Sequence, residues 1–254
     1  MLPFVVLTGT IFSYFSIVLL NFGDFSRYVK TEKDLKLGNL NLFLNMILFS
    51  FLATTIVVGV DVVLNQKLIV VDQILTKPMD IIGKLDNTGL TVFVLVFIIF
   101  SSLSTNLISN YVPTQNSIIN FIPNNLDLKT SGLLILIIGF IAGGLWPSIL
   151  SQIGVINIID SLAAFFGPIF GIIIADYYLV KKEKVNHKDL FFLREGNEYM
   201  YASGWNYKAL YSLLIGFIFS FSLLWNINFS DIKSFSWIIG FVVSFFIYYL
   251  LNEK

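Results

Sequence analysis

The chain has 254 residues, of which 56% are hydrophobic and 13% are charged, and its mean hydropathy is +0.82. A soluble globular protein carries about a quarter charged residues, so this composition excludes a water-soluble fold. Sixteen basic side chains balance sixteen acidic ones, which removes the positive field that nucleic-acid binding requires. The sequence has no cysteine, which excludes disulfides, thiolate catalysis and cysteine-ligated metals.

The single histidine, His187, lies in a lysine-rich stretch (181–188) that is predicted to be a solvated loop. Serine–histidine hydrolysis or a histidine-ligated metal would depend on this one imidazole. We therefore predict that the protein is not an enzyme, that it has no catalytic residues, and that it carries no cofactor.

Seven apolar stretches approach the ~20 residues that a helix needs to cross the hydrocarbon core of a bilayer. The predicted spans are residues 2–22, 42–64, 90–112, 131–147, 151–180, 208–226 and 235–251. Strand-like alternation is absent over these windows. The predicted fold is an all-α integral membrane protein, with a bend in the fifth span at Gly167 and Pro168.

The distribution of Lys and Arg between the spans predicts the orientation. Twelve of the sixteen lie in the loops 24–41, 113–130 and 181–208 or at the C-terminal end, and four lie in the loops 65–88 and 227–234. The first set is predicted to be cytoplasmic. We expect a multi-pass protein of the plasma or inner cell membrane, with its C-terminus in the cytoplasm.

The third span is the most polar, with seven polar residues among the ten from Ser101 to Asn110. At 100° per residue Ser101, Ser104 and Thr105 share one helix face. Their hydroxyls, with a carbonyl freed if the helix loosens near Ser101, suit a hard monovalent cation such as Na+. Asn106 and Asn110, four residues apart, form a second face.

The amides of this second face can match the edge of a heterocycle that carries alternating N–H and C=O groups. Ser, Thr and Asn side chains also hydrogen-bond between membrane helices, so simple helix contacts are an alternative interpretation. In the first span Tyr14 or Phe15 offers a ring for stacking on a ligand, and a packed helix seam explains its small polar residues almost as well.

Several aspartates lie at or near predicted helix ends. Each of them either lies at the membrane interface or serves as a proton relay, and the sequence leaves both interpretations open. They are Asp61, Asp160 and Asp176, whereas Asp24, just after the first span, is assigned to the inner boundary of the membrane.

Four motifs, taken in order along the chain, resemble the signatures of the nucleobase:cation symporter-1 family. They are NFGDFSRYVK (21–30), SSLSTNLISNYVPTQN (101–116), GPIFGIIIADYYLVKK (167–182) and SGWNYKAL (203–210). The family comprises permeases for cytosine, purines, uracil, thiamine, allantoin and hydantoins. The resemblance therefore implies a transporter.

The resemblance implies a twelve-helix fold whose first ten helices form two inverted five-helix repeats. The seven spans match helices 6–12 of that fold. Residues 1–180 then form the second repeat, and residues 181–254 form a cytoplasmic loop and two peripheral helices. Because the first span begins almost at Met1, we expect further chain, the first repeat, to be missing upstream.

The same resemblance assigns site residues. A family sodium site of one backbone carbonyl and two hydroxyls corresponds to Ser101, Ser104 and Thr105. The asparagine that hydrogen-bonds the substrate corresponds to Asn110, and a supporting asparagine corresponds to Asn106.

Phe15 stands nine residues before Asp24, where the family commonly has a tryptophan that stacks on the substrate ring. Phenylalanine keeps a stacking face and loses the indole N–H. The family's remaining ligands come from helices that this chain lacks, so the resemblance implies half of a binding site.

The sequence thus predicts part of a secondary transporter for a nucleobase or related nitrogen heterocycle, coupled to Na+ or H+ and embedded in a lipid bilayer. The alternatives are a non-transporting truncated membrane protein or one half of a split transporter that assembles with an N-terminal partner.

Overall fold

The computed structural model describes residues 2–65, 82, 87–122, 125–191, 196–226 and 232–253. The regular elements of this described part are helices. They are α1 (Leu2–Leu20), α2 (Phe22–Ser26), α3 (Glu32–Asn65), α4 (Thr88–Asn106), α5 (Val112–Phe121), α6 (Leu128–Ile153), α7 (Val155–Ile174), α8 (His187–Phe191), α9 (Tyr207–Trp225) and α10 (Ser236–Asn252). A π-helical turn (Leu107–Tyr111) joins α4 to α5, a second one (Ala175–Val180) follows α7, and a 3-10 turn (Lys233–Phe235) precedes α10.

Among the described residues, six helical segments are long and apolar enough to cross a membrane. They are Glu32–Val60, Thr88–Phe121, Leu128–Ile153, Asn157–Val180, Tyr207–Trp225 and Lys233–Asn252. Helix α1 adds a shorter apolar segment, Val6–Leu20. The prediction of an all-α membrane protein is confirmed.

The helices extend further into the polar segments than the apolar windows indicate. Helix α3 begins at Glu32, within the predicted loop 24–41, because Thr31 and Asp34 cap it reciprocally. The Asp34 amide donates to Thr31 Oγ1 at 3.1 Å, and the Thr31 hydroxyl donates to Asp34 Oδ2 at 2.7 Å. The first of these bonds satisfies a backbone N–H group that the first turn would leave unpaired, and the second orients the Thr31 side chain. The loop predicted at 113–130 is also shorter, since α5 continues to Phe121.

The chain forms two compact units, residues 1–22 with 137–254 and residues 23–136. In the first unit α7 packs closely against α10 through small residues. A Cβ added to Gly167 would collide with the carbonyl oxygen of Trp237, and one on Gly171 would collide with that of Phe241. Helix α7 passes through Pro168, whose carbonyl accepts a 2.9 Å hydrogen bond from the Ser244 hydroxyl of α10.

Helices α1 and α9 complete this unit. A Cβ on Gly9 of α1 would lie 2.7 Å from the carbonyl oxygen of Ser234. Ser220 of α9 donates a 2.6 Å hydrogen bond to the carbonyl of Ser236. Small residues therefore set the distances between these helices, as is common in membrane bundles.

The second unit is held mainly by polar contacts near the ends of its helices. Gln115 Nε2 of α5 donates to the Leu128 carbonyl at 2.7 Å. The apolar windows of Glu32–Val60, Thr88–Phe121 and Leu128–Ile153 have 0% of their residues buried, against 39% for Asn157–Val180. Most of the buried side chains of the described residues are therefore in the first unit.

Candidate functional site

The polar run predicted as the site lies on α4 and the π-helical turn after it. Asn87 caps α4 by accepting the Leu90 amide at 3.0 Å, and the helix remains regular through Asn106. All ten side chains from Ser101 to Asn110 are exposed within the chain. A polar run that packs within its own unit would be covered, so these groups are available to a ligand or to a further helix.

The hydroxyl of Thr105 can only accept a hydrogen bond from a ligand, because it donates its proton within the helix. Its single proton is used in a 2.9 Å hydrogen bond to the carbonyl of Ser101. The free lone pairs of Thr105 Oγ1 are then the only hydrogen-bonding capacity that it presents outward. An acceptor of this kind suits a cation. Ser104, one residue earlier, carries a second exposed hydroxyl.

The two asparagines of the second face are coupled to each other. Asn106 donates through Nδ2 to the carbonyl of Ser102 at 2.9 Å, and its Oδ1 accepts a hydrogen bond from Asn110 Nδ2. Asn106 thereby orients the amide of Asn110. The second N–H and the Oδ1 of Asn110 remain for a ligand, which gives one donor and one acceptor side by side.

The helix widens at the turn that contains Asn110. The amide of Val112 donates to the carbonyl of Leu107, a five-residue spacing that defines the π turn Leu107–Tyr111. Pro113 has no N–H, so a carbonyl in the preceding turn loses its donor. The carbonyl of Ser101, where the sequence analysis expects loosening, instead accepts the Thr105 hydroxyl within regular α-helix. The irregular turn lies one to two turns later. Single π turns occur frequently at functional sites.

Contacts that were not predicted from the sequence connect α5 to α2 and to the preceding π turn. Asn116 Nδ2 donates to Asp24 Oδ1 at 2.8 Å, and Arg27 Nη1 lies 3.7 Å from the same oxygen. Gln115 Nε2 also lies 3.1 Å from the hydroxyl of Tyr111. Tyr111 and Gln115 are four residues apart in the sequence, and this spacing is the feature that could have predicted their contact on one helix face.

Beside these contacts the second unit has a cavity of about 630 Å³ at the junction of α5 and α6. Its lining residues are Arg27, Asn116, Ile119, Asn120, Asp127, Leu128 and Lys129. Hydrogen bonds from the backbone and the side chain of Thr130 lower the pKa of the Asp127 carboxyl. That carboxylate caps the first turn of α6.

Phe15, the predicted stacking residue, belongs to the first unit. It lies on α1, half-buried, with its ring 5.3 Å from that of Tyr14 in an edge-to-face arrangement. Edge-to-face contact leaves the face of one ring of such a pair open.

The aspartates differ in their surroundings. Asp24 and Asp176 both accept hydrogen bonds near helix ends. Asp160 is 1% exposed and lies three residues after the start of the membrane-length segment Asn157–Val180. The side chains of Asp61 and His187 lie outside the described part of the chain.

Comparison with known proteins gives the family. The sequence profile of the permeases for cytosine/purines, uracil, thiamine and allantoin matches residues 3–248. The chain is 29% identical over 251 residues to a purine-uracil permease of Arabidopsis thaliana, which covers 95% of this chain and 41% of that protein. It is 24% identical over 250 residues to the allantoin permease of Bacillus subtilis, covering 98% of this chain and 49% of that protein.

A hydantoin permease of Microbacterium maritypicum is 28% identical over 127 residues, covering 50% of this chain and 24% of that protein. No match to a solved structure was found.

The fold and the profile together define a multi-pass membrane protein of the permease class. The chain belongs to the family of permeases for cytosine/purines, uracil, thiamine and allantoin. This confirms the resemblance of the four motifs to the nucleobase:cation symporter-1 family. It also confirms, at the level of the family, a transport protein rather than an enzyme.

The chain spans about half the length of the curated relatives it matches, 41% of the plant protein and 49% of the Bacillus protein.

Proposed function

We propose that the chain forms part of a secondary transporter that carries a nucleobase or a related nitrogen heterocycle across the cell membrane, coupled to Na+ or H+. The chain is a family member, and the observation that carries the proposal is the pairing of two polar faces on α4 and the π turn after it. The acceptor-only Thr105 hydroxyl lies on one face, and the oriented Asn110 amide lies on the adjoining face.

In this proposal Asn110 recognises the heterocycle. Its free N–H and Oδ1 are complementary to an adjacent C=O and N–H on a ring edge, and Asn106 fixes their orientation. A substrate that lacks one member of that pair would leave a polar group of the site unpaired, which costs affinity. Phe15 would stack on the ring of the substrate.

Ser101, Ser104 and Thr105 would hold the coupling cation through oxygen atoms. The hydroxyl of Thr105 already donates inward to the Ser101 carbonyl, so a cation could approach its lone pairs without rearrangement of the hydrogen bond. If cation and substrate stabilise the same conformation, each raises the affinity of the other by the same factor. Alternating access would then use that coupling to drive uptake.

A complete site would need further ligands from another set of helices. The exposure of the whole Ser101–Asn110 run supports this, because such a polar surface is costly against lipid. We propose that the part of the relatives that this chain does not match supplies these helices, as one polypeptide or as a partner half. The Lys and Arg distribution supports a cytoplasmic C-terminus.

The test is uptake of radiolabelled heterocycles by cells that express the complete open reading frame containing these residues. Uracil, allantoin and hydantoin would be compared, with Na+ replaced by choline and with the proton gradient collapsed in separate arms. Uptake of one of these compounds that depends on Na+ or on the proton gradient supports the proposal.

A second candidate is a membrane protein that does not transport. The chain matches only 41% to 49% of the length of the relatives named above that align with nearly all of it. If the open reading frame ends with these residues and neither it nor a co-expressed neighbouring gene gives uptake of any heterocycle, this second candidate holds.

A further inference from the structure

The first unit contains a carboxyl group in an unusual environment. Asp160 lies in the second turn of α7, and the residue is 1% exposed. Among the residues that the structure describes, neither Asp160 Oδ1 nor Oδ2 has a hydrogen-bond partner. A buried carboxylate without partners is costly, and the usual response is to neutralise it.

The helices packed against α7 offer little charge to balance an ionised Asp160. Helices α1 and α10 contain no charged residue, and α7 itself contains no other. The one charge of α9 is Lys208, whose Nζ lies 3.2 Å from Asn252 at the end of α10. After α7, Asp176 is bonded to the hydroxyl of Tyr248.

Lys233, in the 3-10 turn before α10, is the exception. Its Nζ lies 3.4 Å from Asn157 Oδ1, and Asn157 precedes Asp160 by three residues on α7. Residues three apart are neighbours on a helix surface. The Lys233 ammonium group is therefore bound to a neutral amide in the turn that precedes Asp160.

The start of α10 also contains two buried groups that have no hydrogen-bond partner among the described residues, the Ser236 hydroxyl and the Trp237 Nε1–H. Like Asp160, they are buried but not saturated with hydrogen bonds. Such sites are the exception in folded proteins, where buried polar groups are nearly always paired.

We propose that Asp160 is a proton-binding site and that Lys233 is the counter-ion of its ionised form. In the arrangement described here the carboxyl holds its proton and Lys233 rests on Asn157. When the proton leaves to water, the carboxylate gains a negative charge and attracts the Lys233 ammonium along α7. This inference does not depend on the proposed substrate.

A proton fits this site better than an alkali ion. Hard metal cations take several oxygen ligands at once, and Asp160 is the only carboxyl on α7 and the helices packed against its length. By the predicted topology this end of α7 faces the outer side of the membrane. The proton would therefore exchange with that side.

The experiment is attenuated-total-reflection infrared spectroscopy of the purified chain in lipid nanodiscs, titrated from about pH 4 upward, the ordinary aspartate range. The C=O stretching band of a protonated carboxyl is followed in the wild type minus Asp160→Asn difference. Glu32→Gln is the matched control, because the Glu32 side chain is 79% exposed. Monodisperse elution and an unchanged helix signal would show that each variant folds.

We expect a C=O stretching band of a single protonated carboxyl group that is lost with Asp160→Asn. This band should titrate in one step and should not be the band that Glu32→Gln removes. Lys233→Gln should move the midpoint to higher pH, because the ionised form loses its counter-ion. That variant also tests the proposal if Asp160→Asn fails to fold. The proposal is overturned if no such band exists at any pH or if the Lys233 variant leaves the midpoint unchanged. Loss of the band when NaCl replaces choline chloride would identify an alkali-ion site instead.

Discussion

The hydroxyl of Tyr248 donates a hydrogen bond of 2.7 Å to Asp176 Oδ1, which joins α10 to the π turn after α7. Tyr248 is 2% exposed, and its oxygen also accepts a 3.1 Å hydrogen bond from Asn206 Nδ2, the residue that caps α9. One phenol thus connects three helices at the same end of the first unit.

We predict that Tyr248→Phe lowers the free energy of unfolding by about 1–3 kcal/mol, because Asn206 and Asp176 each lose a partner. The measurement is the thermal unfolding midpoint of the purified chain in detergent. Tyr249→Phe is the control, since Tyr249 bonds the exposed Glu253 at 3.2 Å. Equal midpoints for the two variants would show that the three-helix connection does not stabilise the unit.

Close packing of α7 on α10 gives a second prediction. Gly167→Ala should destabilise the chain by about 1–3 kcal/mol, because the added methyl group meets the backbone of Trp237. Backbone cannot rotate away as a flexible side chain can. Gly143→Ala in α6 is the control, because nothing lies within 4 Å of its added Cβ. The same unfolding assay serves, and a Gly167 variant as stable as the Gly143 variant would contradict the packing.

The cap of α6 should respond to acid. Hydrogen bonds from Thr130 lower the pKa of Asp127, so the cap stabilises the helix above the unfolded aspartate pKa of about 3.9. That contribution is lost as the pH falls through the lower, folded pKa. The amide of Thr130, which donates to Asp127 Oδ1 at 2.7 Å, reports this titration.

The corresponding measurement is the NMR shift of the Thr130 amide in chain labelled with 15N-threonine. We expect a midpoint below about 3.9 and no titration in Asp127→Asn. A midpoint at or above the ordinary value would mean that the cap does not favour the charged carboxylate.

Much of the fold was predictable because a membrane span must be predominantly apolar over about 20 residues. The window 208–226 predicted α9, Tyr207–Trp225, to within one residue at each end. Helix α3 was predicted less well. Its first turns carry Glu32, Lys33, Asp34 and Lys36, which an apolar window rejects, although Thr31 caps them into a helix.

The candidate site was predictable as a set of residues but not as a local structure. Polar residues at 101–110 stand out inside an apolar span, and helical spacing separates their two faces. The π turn at Leu107–Tyr111 and the link from Asn116 to Asp24 depend on three-dimensional placement. The burial of Asp160 likewise results from contacts between distant segments, which no local pattern encodes.

The most direct test of the central claim is uptake by the complete open reading frame with Asn110→Ala or Thr105→Ala. Thr91→Ala is the matched control, since its hydroxyl also bonds a carbonyl four residues earlier, that of the cap residue Asn87. We predict that Asn110→Ala reduces uptake at least about 10-fold, the effect of about 1.4 kcal/mol. Thr105→Ala should weaken the dependence on Na+, while Thr91→Ala changes neither property. Uptake and Na+ dependence that are unchanged in both site variants would contradict the assignment of α4 as the substrate and ion helix.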